Sequence, residues 1–433
     1  MKKFNVFPLV ILVPLVCFIC SCQQHIDEIE IFGHTVQADA AEIIFSGDEI
    51  PSISELSENL KLLTKLEKVD LGSFHMFEEE MRSLSDEFPG VTFEYIPYVS
   101  VAGRAVPNDV ESLDLSGSPV TDDLADLLKA FPLLKEINLH DTGMRREQLL
   151  ELKTTYPNLI VKAEVELAGE LFSTEAEELD LNSREIQDPD EFMESLVLFD
   201  RLSKVEMCDC GLSNEQLAAI RDAYPDTKFV WRIKLGKWSL RTDAVAFSVL
   251  ITRFDYRRMT SEDIEVLKYC TDLQALDLGH QAITDISVIG EYLKDLRVLI
   301  IADNKVTDLS PLANLPHLHF LEFFMNRVTD LTPLAQCREL VDLNISYNPG
   351  LSDITPILDL PILERLWMVA VPVSRADVNL LRETYPDATI NTVTGHGSTA
   401  QGWRTHDRYF AMIEMYHKRD YISEDFSKYD GMG

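Results

Sequence analysis

The phrase V-T-D-L-S-P-L at residues 306–312 returns 22 residues later as V-T-D-L-T-P-L at residues 328–334. A chain that repeats itself at so short an interval folds as copies of one unit, and a unit of that length cannot bury its apolar face without neighbours. From residue 273 the pattern L-x-x-L-x-L recurs as LQALDL (273), LRVLII (296), LHFLEF (318), LVDLNI (340) and LERLWM (363). Their second leucines fall at 276, 299, 321, 343 and 366, in steps of 23, 22, 22 and 23. Five residues on stand Gln281, Asn304, Asn326 and Asn348. In a strand of this pattern, alternation sends the leucines to one face and the intervening residues to the other. The amide side chain after the strand is suited to bond backbone groups that the bend leaves unpaired. Ser310-Pro311, Thr332-Pro333 and Thr355-Pro356 follow, the hydroxyl suited to cap a helical turn and the proline to its first position. These residues recur because geometry requires them.

The unit resembles the leucine-rich repeat, L-x-x-L-x-L-x-x-N-x-L. Its variant N-x-V-T-D-L-S-P-L is similar to the short repeats of bacterial internalin-type surface proteins over residues 270–370. The resemblance implies an α/β leucine-rich-repeat solenoid. Such a fold is a curved right-handed coil with a parallel sheet on its concave face and short helices and turns on its convex face. It also implies protein binding as a class, without carrying over any receptor, because the face residues are the variable part of such a fold.

Earlier in the chain the period is longer. F-P at 88–89, Y-P at 156–157 and Y-P at 224–225 are spaced by 68 and 68, and Y-P returns at 385–386, another 161 on. The strand-like triplets VDL (69–71), INL (137–139), VEM (205–207) and LWM (366–368) keep the same spacings. The 161 is 68 plus 93, and 93 accommodates four further coils. The expected order is a signal at 1–21, irregular 68-residue modules over 22–270, regular repeats over 271–395 and a capping tail over 396–433. The pattern predicts fifteen or sixteen strands, with a hairpin at Gly236-Lys237 and an amphipathic helix carrying Tyr409, Met412, Ile413 and Tyr416.

At the start, Lys2 and Lys3 precede an apolar run from Phe4 to Ile19 that is shorter than the ~20 residues a spanning helix needs. It ends in Ile19-Cys20-Ser21-Cys22, which resembles a bacterial lipobox. That resemblance implies diacylation of Cys22 and an exported lipoprotein tethered to the extracytoplasmic face of the cell membrane. A plain secretory signal or an uncleaved anchor is the alternative. The chain carries 39 basic and 73 acidic residues, a formal charge of -34. A surface this acidic repels phosphate backbones, which excludes nucleic acid as a partner and favours a basic protein, or simply solubility. The cysteines beyond the signal, Cys22, Cys208, Cys210, Cys270 and Cys337, are too few for a disulfide scaffold.

Candidate chemistry is sparse. Cys208-Asp209-Cys210 looks like half a metal site, yet Cys210 falls in the slot that asparagine fills elsewhere, a structural ladder position shared with Gln281, Asn304, Asn326 and Asn348. Cys208 then projects from the open face, and no set of ligands completes a metal site. Cys270 and Cys337 sit at equivalent positions three coils apart, too far for a disulfide. His317 and His319 read as solvated surface histidines without a carboxylate at ligand spacing. Hydrolase and phosphate-loop motifs are missing, so no catalytic residue and no cofactor is assigned. The column Asp70, Asp114, Asn138, Asp180, Glu206 and Asp277 makes an acidic stripe on the open face.

Further on that face turns apolar. Val298, Ile300, Phe320, Glu322, Phe324, Asp342, Asn344, Arg365 and Trp367 occupy open-face positions on adjacent strands. Exposed aromatics with a polar rim are what partner-binding sites look like. The other reading is that the tail or a hairpin folds over these residues and buries them. The function expected is protein–protein binding through the concave face, without catalysis. A structural envelope spacer, a carbohydrate-binding module and a cryptic hydrolase are the alternatives.

Overall fold

The computed structural model describes residues 28–47, 49–249, 257–393, 403–405, 410 and 414. The signal, the lipidation site at Cys22 and the four residues expected to form the tail helix's apolar stripe lie outside them. Among the described residues no helix is long and apolar enough to cross a membrane. The chain divides into two compact units, Met1–Met144 with Glu151–Lys162, and Arg145–Leu150 with Ala163–Gly433.

In the first unit Glu28–Ile31 and His34–Gln37 form an antiparallel hairpin. Parallel strands Glu42–Ile44, Lys68–Met76 and Thr92–Val101 follow, and the last folds back on Arg104–Pro107. Ser112–Asp114, Glu136–Asn138 and Ile160–Lys162 make a further parallel sheet. The second unit repeats the scheme. A hairpin joins Glu164–Leu167 to Glu170–Ser173, and three parallel strands follow at Glu178–Asp180, Lys204–Glu206 and Lys228–Val230. A second hairpin then joins Arg232–Leu235 to Trp238–Arg241. Each 68-residue module is therefore a hairpin plus three parallel strands.

The hairpin at Gly236-Lys237 is the one expected from the sequence. The other three turn at Phe32-Gly33, Ala102-Gly103 and Ala168-Gly169, where both residues take positive φ. That is the two-residue turn that matches strand twist, and it ordinarily begins with Asn, Asp or Gly. Phenylalanine or alanine in its first position hides the signal. The hairpins also raise the strands among the described residues to 23, above the number expected.

From Ala246 to Asn391 one seven-stranded parallel sheet carries the regular repeats, passing residue 270 without a break. Leu276, Leu299, Leu321, Leu343 and Leu366 are in register across it, and all are fully buried. The leucine pattern thus builds the parallel sheet and short helical turns of the leucine-rich-repeat fold. After each strand an amide side chain stitches neighbouring coils. Asn326 accepts from Val306 N at 2.9 Å and donates to Ile301 O and Phe323 O at 2.8 and 3.0 Å. Asn304 and Asn348 do the same one coil to either side, and Gln281 accepts from Met259 N. Cys210, buried in the equivalent slot, accepts from Ile186 N at its backbone carbonyl.

Several expectations are corrected. The cap of each helical turn is the aspartate, not the Ser or Thr hydroxyl. Asp308, Asp330 and Asp353 accept from the backbone N–H of Ser310, Thr332 and Thr355 at 2.8–2.9 Å. Asp285 does so for Ser287. The hydroxyl and backbone N–H of Ser287 and Thr332 hold Asp285 and Asp330 below the usual carboxylate range, and the backbone N–H and hydroxyl of Thr355 do so for Asp353. The tyrosine of each Y-P pair ends a helix, and its hydroxyl donates to a carbonyl one coil back: Tyr156 to Ala125, Tyr224 to Met193, Tyr385 to Ile357. Cys208 is buried rather than projecting into solvent, and its backbone N–H donates to Asn182 Oδ1. His319 is buried, and the Glu339 carboxylate lies 3.2 Å from His317 and 3.7 Å from His319, so these are not free surface imidazoles.

Candidate functional site

The acidic column has a local explanation. Asp70, Asp114, Asp180 and Asp277 each accept from the backbone N–H two residues on, at 2.9–3.0 Å. Asn138 and Asn344 do likewise at 3.1 and 3.2 Å. Such a side chain pins the end of its own strand. Glu206 differs: it accepts from Arg241, Lys204 and Asn182, which together hold its carboxyl far below the carboxylate range. Arg241 also grips Asp243, so this cluster ties the Arg232–Arg241 hairpin to the sheet behind it.

The second face of the seven-stranded sheet, opposite the leucine core, is where the apolar patch was expected in solvent. It is sealed. Val298, Ile300, Phe320, Phe324 and Trp367 are buried with Ala246, Ala275 and Ala302 in one cluster, and Trp403 of the tail is its ninth member. Glu322, Asp342 and Asn344 have no exposed surface, and Arg365 is largely covered. Each strand from Val298 to Trp367 is therefore covered on both sides, apart from partly exposed Arg365. The expected exposure is corrected for eight of the nine residues, and Arg365 keeps part of its surface. A signal in the sequence did foretell it. VLIIA (298–302) and FLEFF (320–324) are apolar at both alternations, as in parallel strands with two packed faces.

Trp403 fills the middle of the face. Its ring lies 4.9 Å from Phe320 and 5.2 Å from Trp367, centroid to centroid. Its indole Nε1–H donates to Glu322 Oε2 at 2.6 Å, and Arg404 donates to Glu322 Oε1 at 2.8 Å. Arg365 makes two 2.6 Å bonds to Asp342, reaches the Trp403 carbonyl at 3.5 Å, and places its guanidinium carbon 5.4 Å from the Trp403 ring. Burial pushes Glu322 above its ordinary value, opposed by Arg404 and by the indole N–H. Asp277, buried beside Ser248, is pushed up for the same reason. A buried aromatic anchor with charge-assisted hydrogen bonds is the chemistry of an interface hot spot, here satisfied from within the chain. Trp403 and Arg404 are the site residues that sequence reasoning left out. Their offset of more than 80 residues from Glu322 has no periodic signature.

Among the described residues no group of three His, Cys, Asp or Glu side chains is placed to hold a metal. Cys208, Cys210, Cys270 and Cys337 are free and buried, and burial pushes the Cys337 thiol up to about 12.

Comparison with known proteins gives a family match for the Leucine Rich repeats (2 copies) model at residues 294–336. No curated protein sequence matches the chain. Similar solved structures include an internalin (inlF) from Listeria monocytogenes, 16% identical, covering 85% of this chain and 87% of that one at a TM-score of 0.28. A Leptospira interrogans LRR protein is 16% identical over 82% of this chain and 96% of its own, at a TM-score of 0.26. An internalin C2 from Listeria monocytogenes is 23% identical over 35% and 75%, at 0.26. With the repeat model matched on two central coils and five of the seven strands sharing one leucine register, the fold is that of a leucine-rich-repeat protein.

Proposed function

We propose that the chain is an exported, non-catalytic leucine-rich-repeat protein that binds a protein partner through the second face of its seven-stranded sheet, with the Trp403–Arg404 segment as resident occupant. Leucine-rich-repeat proteins generally mediate protein–protein interaction. The observation that carries the reading is the fit of Trp403 between Phe320 and Trp367 with both Glu322 oxygens engaged. A face that only needed covering would be served by aliphatic packing. This one presents a buried carboxylate and two aromatic rings, the equipment for recognising an aromatic and cationic segment. A basic partner also suits the formal charge of -34. Export and a lipid anchor at Cys22 are supported by Lys2, Lys3, the Phe4–Ile19 run and Ile19-Cys20-Ser21-Cys22. Mass spectrometry of the mature N-terminus tests the anchor.

The test of binding is a titration with a labelled peptide of residues 398–408 against the full chain carrying Trp403→Ala and Arg404→Ala. The variant is expected to bind the peptide at micromolar concentration, while the parent chain, its face occupied, does not. Failure of a folded variant to bind rejects the reading. The complete burial of Glu322, Asp342 and Asn344 favours one alternative, a permanent structural clamp in a spacer protein. That alternative is what the negative result would establish.

A further inference from the structure

Two side-chain donors on the covered face have no hydrogen-bond partner, Asn344 Nδ2 and Trp367 Nε1. Both residues are buried, and they stand opposite one another on adjacent strands. Because Leu343 and Leu366 point into the leucine core, alternation turns Asn344 and Trp367 to the same side as Glu322. The amide of Asn344 is not free to flip: its Oδ1 accepts from Ser346 N at 3.2 Å, which commits Nδ2 to the second face. Buried donors left unmade are uncommon and each is costly. Trp403 and Arg404 serve Glu322, and the Trp403 carbonyl serves Arg365, yet neither residue brings an acceptor to this strand pair. The resident segment is an incomplete ligand.

We propose that the face recognises a segment of a partner protein carrying an aromatic–arginine pair and, beside it, an acceptor side chain (Asn, Gln, Asp or Glu) that completes Asn344 and Trp367. This rests on the reading that the second face binds a partner, and it supplies what that reading lacks, a reason for a partner to win over the resident segment. The resident holds the advantage of being tethered. An incoming segment that matches the aromatic and arginine contacts and satisfies one or both orphan donors gains about tenfold in affinity for each. Nearby Glu322 and Asp342 oppose a further negative charge, so amide acceptors are preferred to carboxylates.

The experiment uses a pool of synthetic peptides, Ser-X-X-Trp-Arg-X-X-Ser, selected on the full chain carrying Trp403→Ala and Arg404→Ala. The expected result is enrichment of Asn, Gln, Asp or Glu at one flanking position. The enriched peptide should bind at least tenfold tighter than its alanine counterpart. That preference should vanish when the receptor also carries Asn344→Asp and Trp367→Phe. The first change keeps the oxygen that caps Ser346, as Asp277 does for Gly279, and the second keeps the ring. As a check that needs no altered receptor, the enriched peptide should bind the parent chain measurably and the alanine peptide should not. Trp-Arg peptides bound without flanking preference overturn this inference and leave the binding reading intact, a trapped water then serving the two donors. An enriched peptide that cannot enter the parent chain overturns displacement. No Trp-Arg peptide bound at all overturns the binding reading itself.

Discussion

Asn326 accepts one backbone N–H and donates to backbone carbonyls, Ile301 O and Phe323 O most closely, from a buried side chain. Replacing it by alanine strands Val306 N–H in the core and removes a bond from each of two carbonyls, at a cost of about 2–4 kcal/mol. Chemical denaturation of Asn326→Ala should show that loss without a change in the slope of the transition. At this scale the sequence was legible where a residue recurs for a local reason, as the asparagines do. It misled where two residues in one motif could do the same job. The aspartate of T-D-L-[ST]-P is charged and already placed to accept from the residue two on, so it takes the capping role from the hydroxyl. Glu322 carries a second prediction. Its carboxyl is raised by burial, so the folded chain holds that proton more tightly than the unfolded chain does. Its contribution to stability is then present below the ordinary value of 4.5 and declines as pH rises through the folded value. Asp277, raised likewise, acts in the same direction, while Arg404 opposes it at Glu322. The melting temperature of the parent chain minus that of Glu322→Gln should therefore fall as pH rises above the ordinary value of 4.5. A flat difference contradicts the assignment.

Whole elements were readable to the extent that their signal is periodic. The leucine strands and the 68-residue modules both follow from counting. The hairpins did not, apart from the one at Gly236, because Phe32, Ala102 and Ala168 hold positive φ where the usual turn residues are absent. Packing between successive coils leaves its own mark at Gly290, in the helix Ser287–Tyr292. A Cβ there would lie 2.1 Å from the Pro311 carbonyl oxygen in the Ser310–Asn314 turn of the next coil. Backbone meets backbone at that point, so neither side can rotate away. Gly290→Ala should cost about 1–3 kcal/mol by forcing the two turns apart, although alanine is the better helix former. A thermal melt of the variant above that of the parent would refute the close approach.

For the molecule as a whole, the regular repeats build a sheet whose two faces have different histories in the sequence. The leucine face was fully legible, since each coil restates it. The residues of the second face were also identified, and the tail was one of the covers considered, yet Trp403 itself could not be read, because it is a single residue far along the chain with no repeat to announce it. Closure joins one such residue to the Phe320, Glu322 and Trp367 positions of separate coils. Long-range closure of this kind needs coordinates. The most direct test places a thiol on the sealed face at Val298→Cys, a buried position in register with Phe320, and maps maleimide labelling to its peptide by mass spectrometry. The account predicts protection in the otherwise unaltered chain and rapid labelling once Trp403→Ala and Arg404→Ala are added. Equal, rapid labelling in both would contradict it.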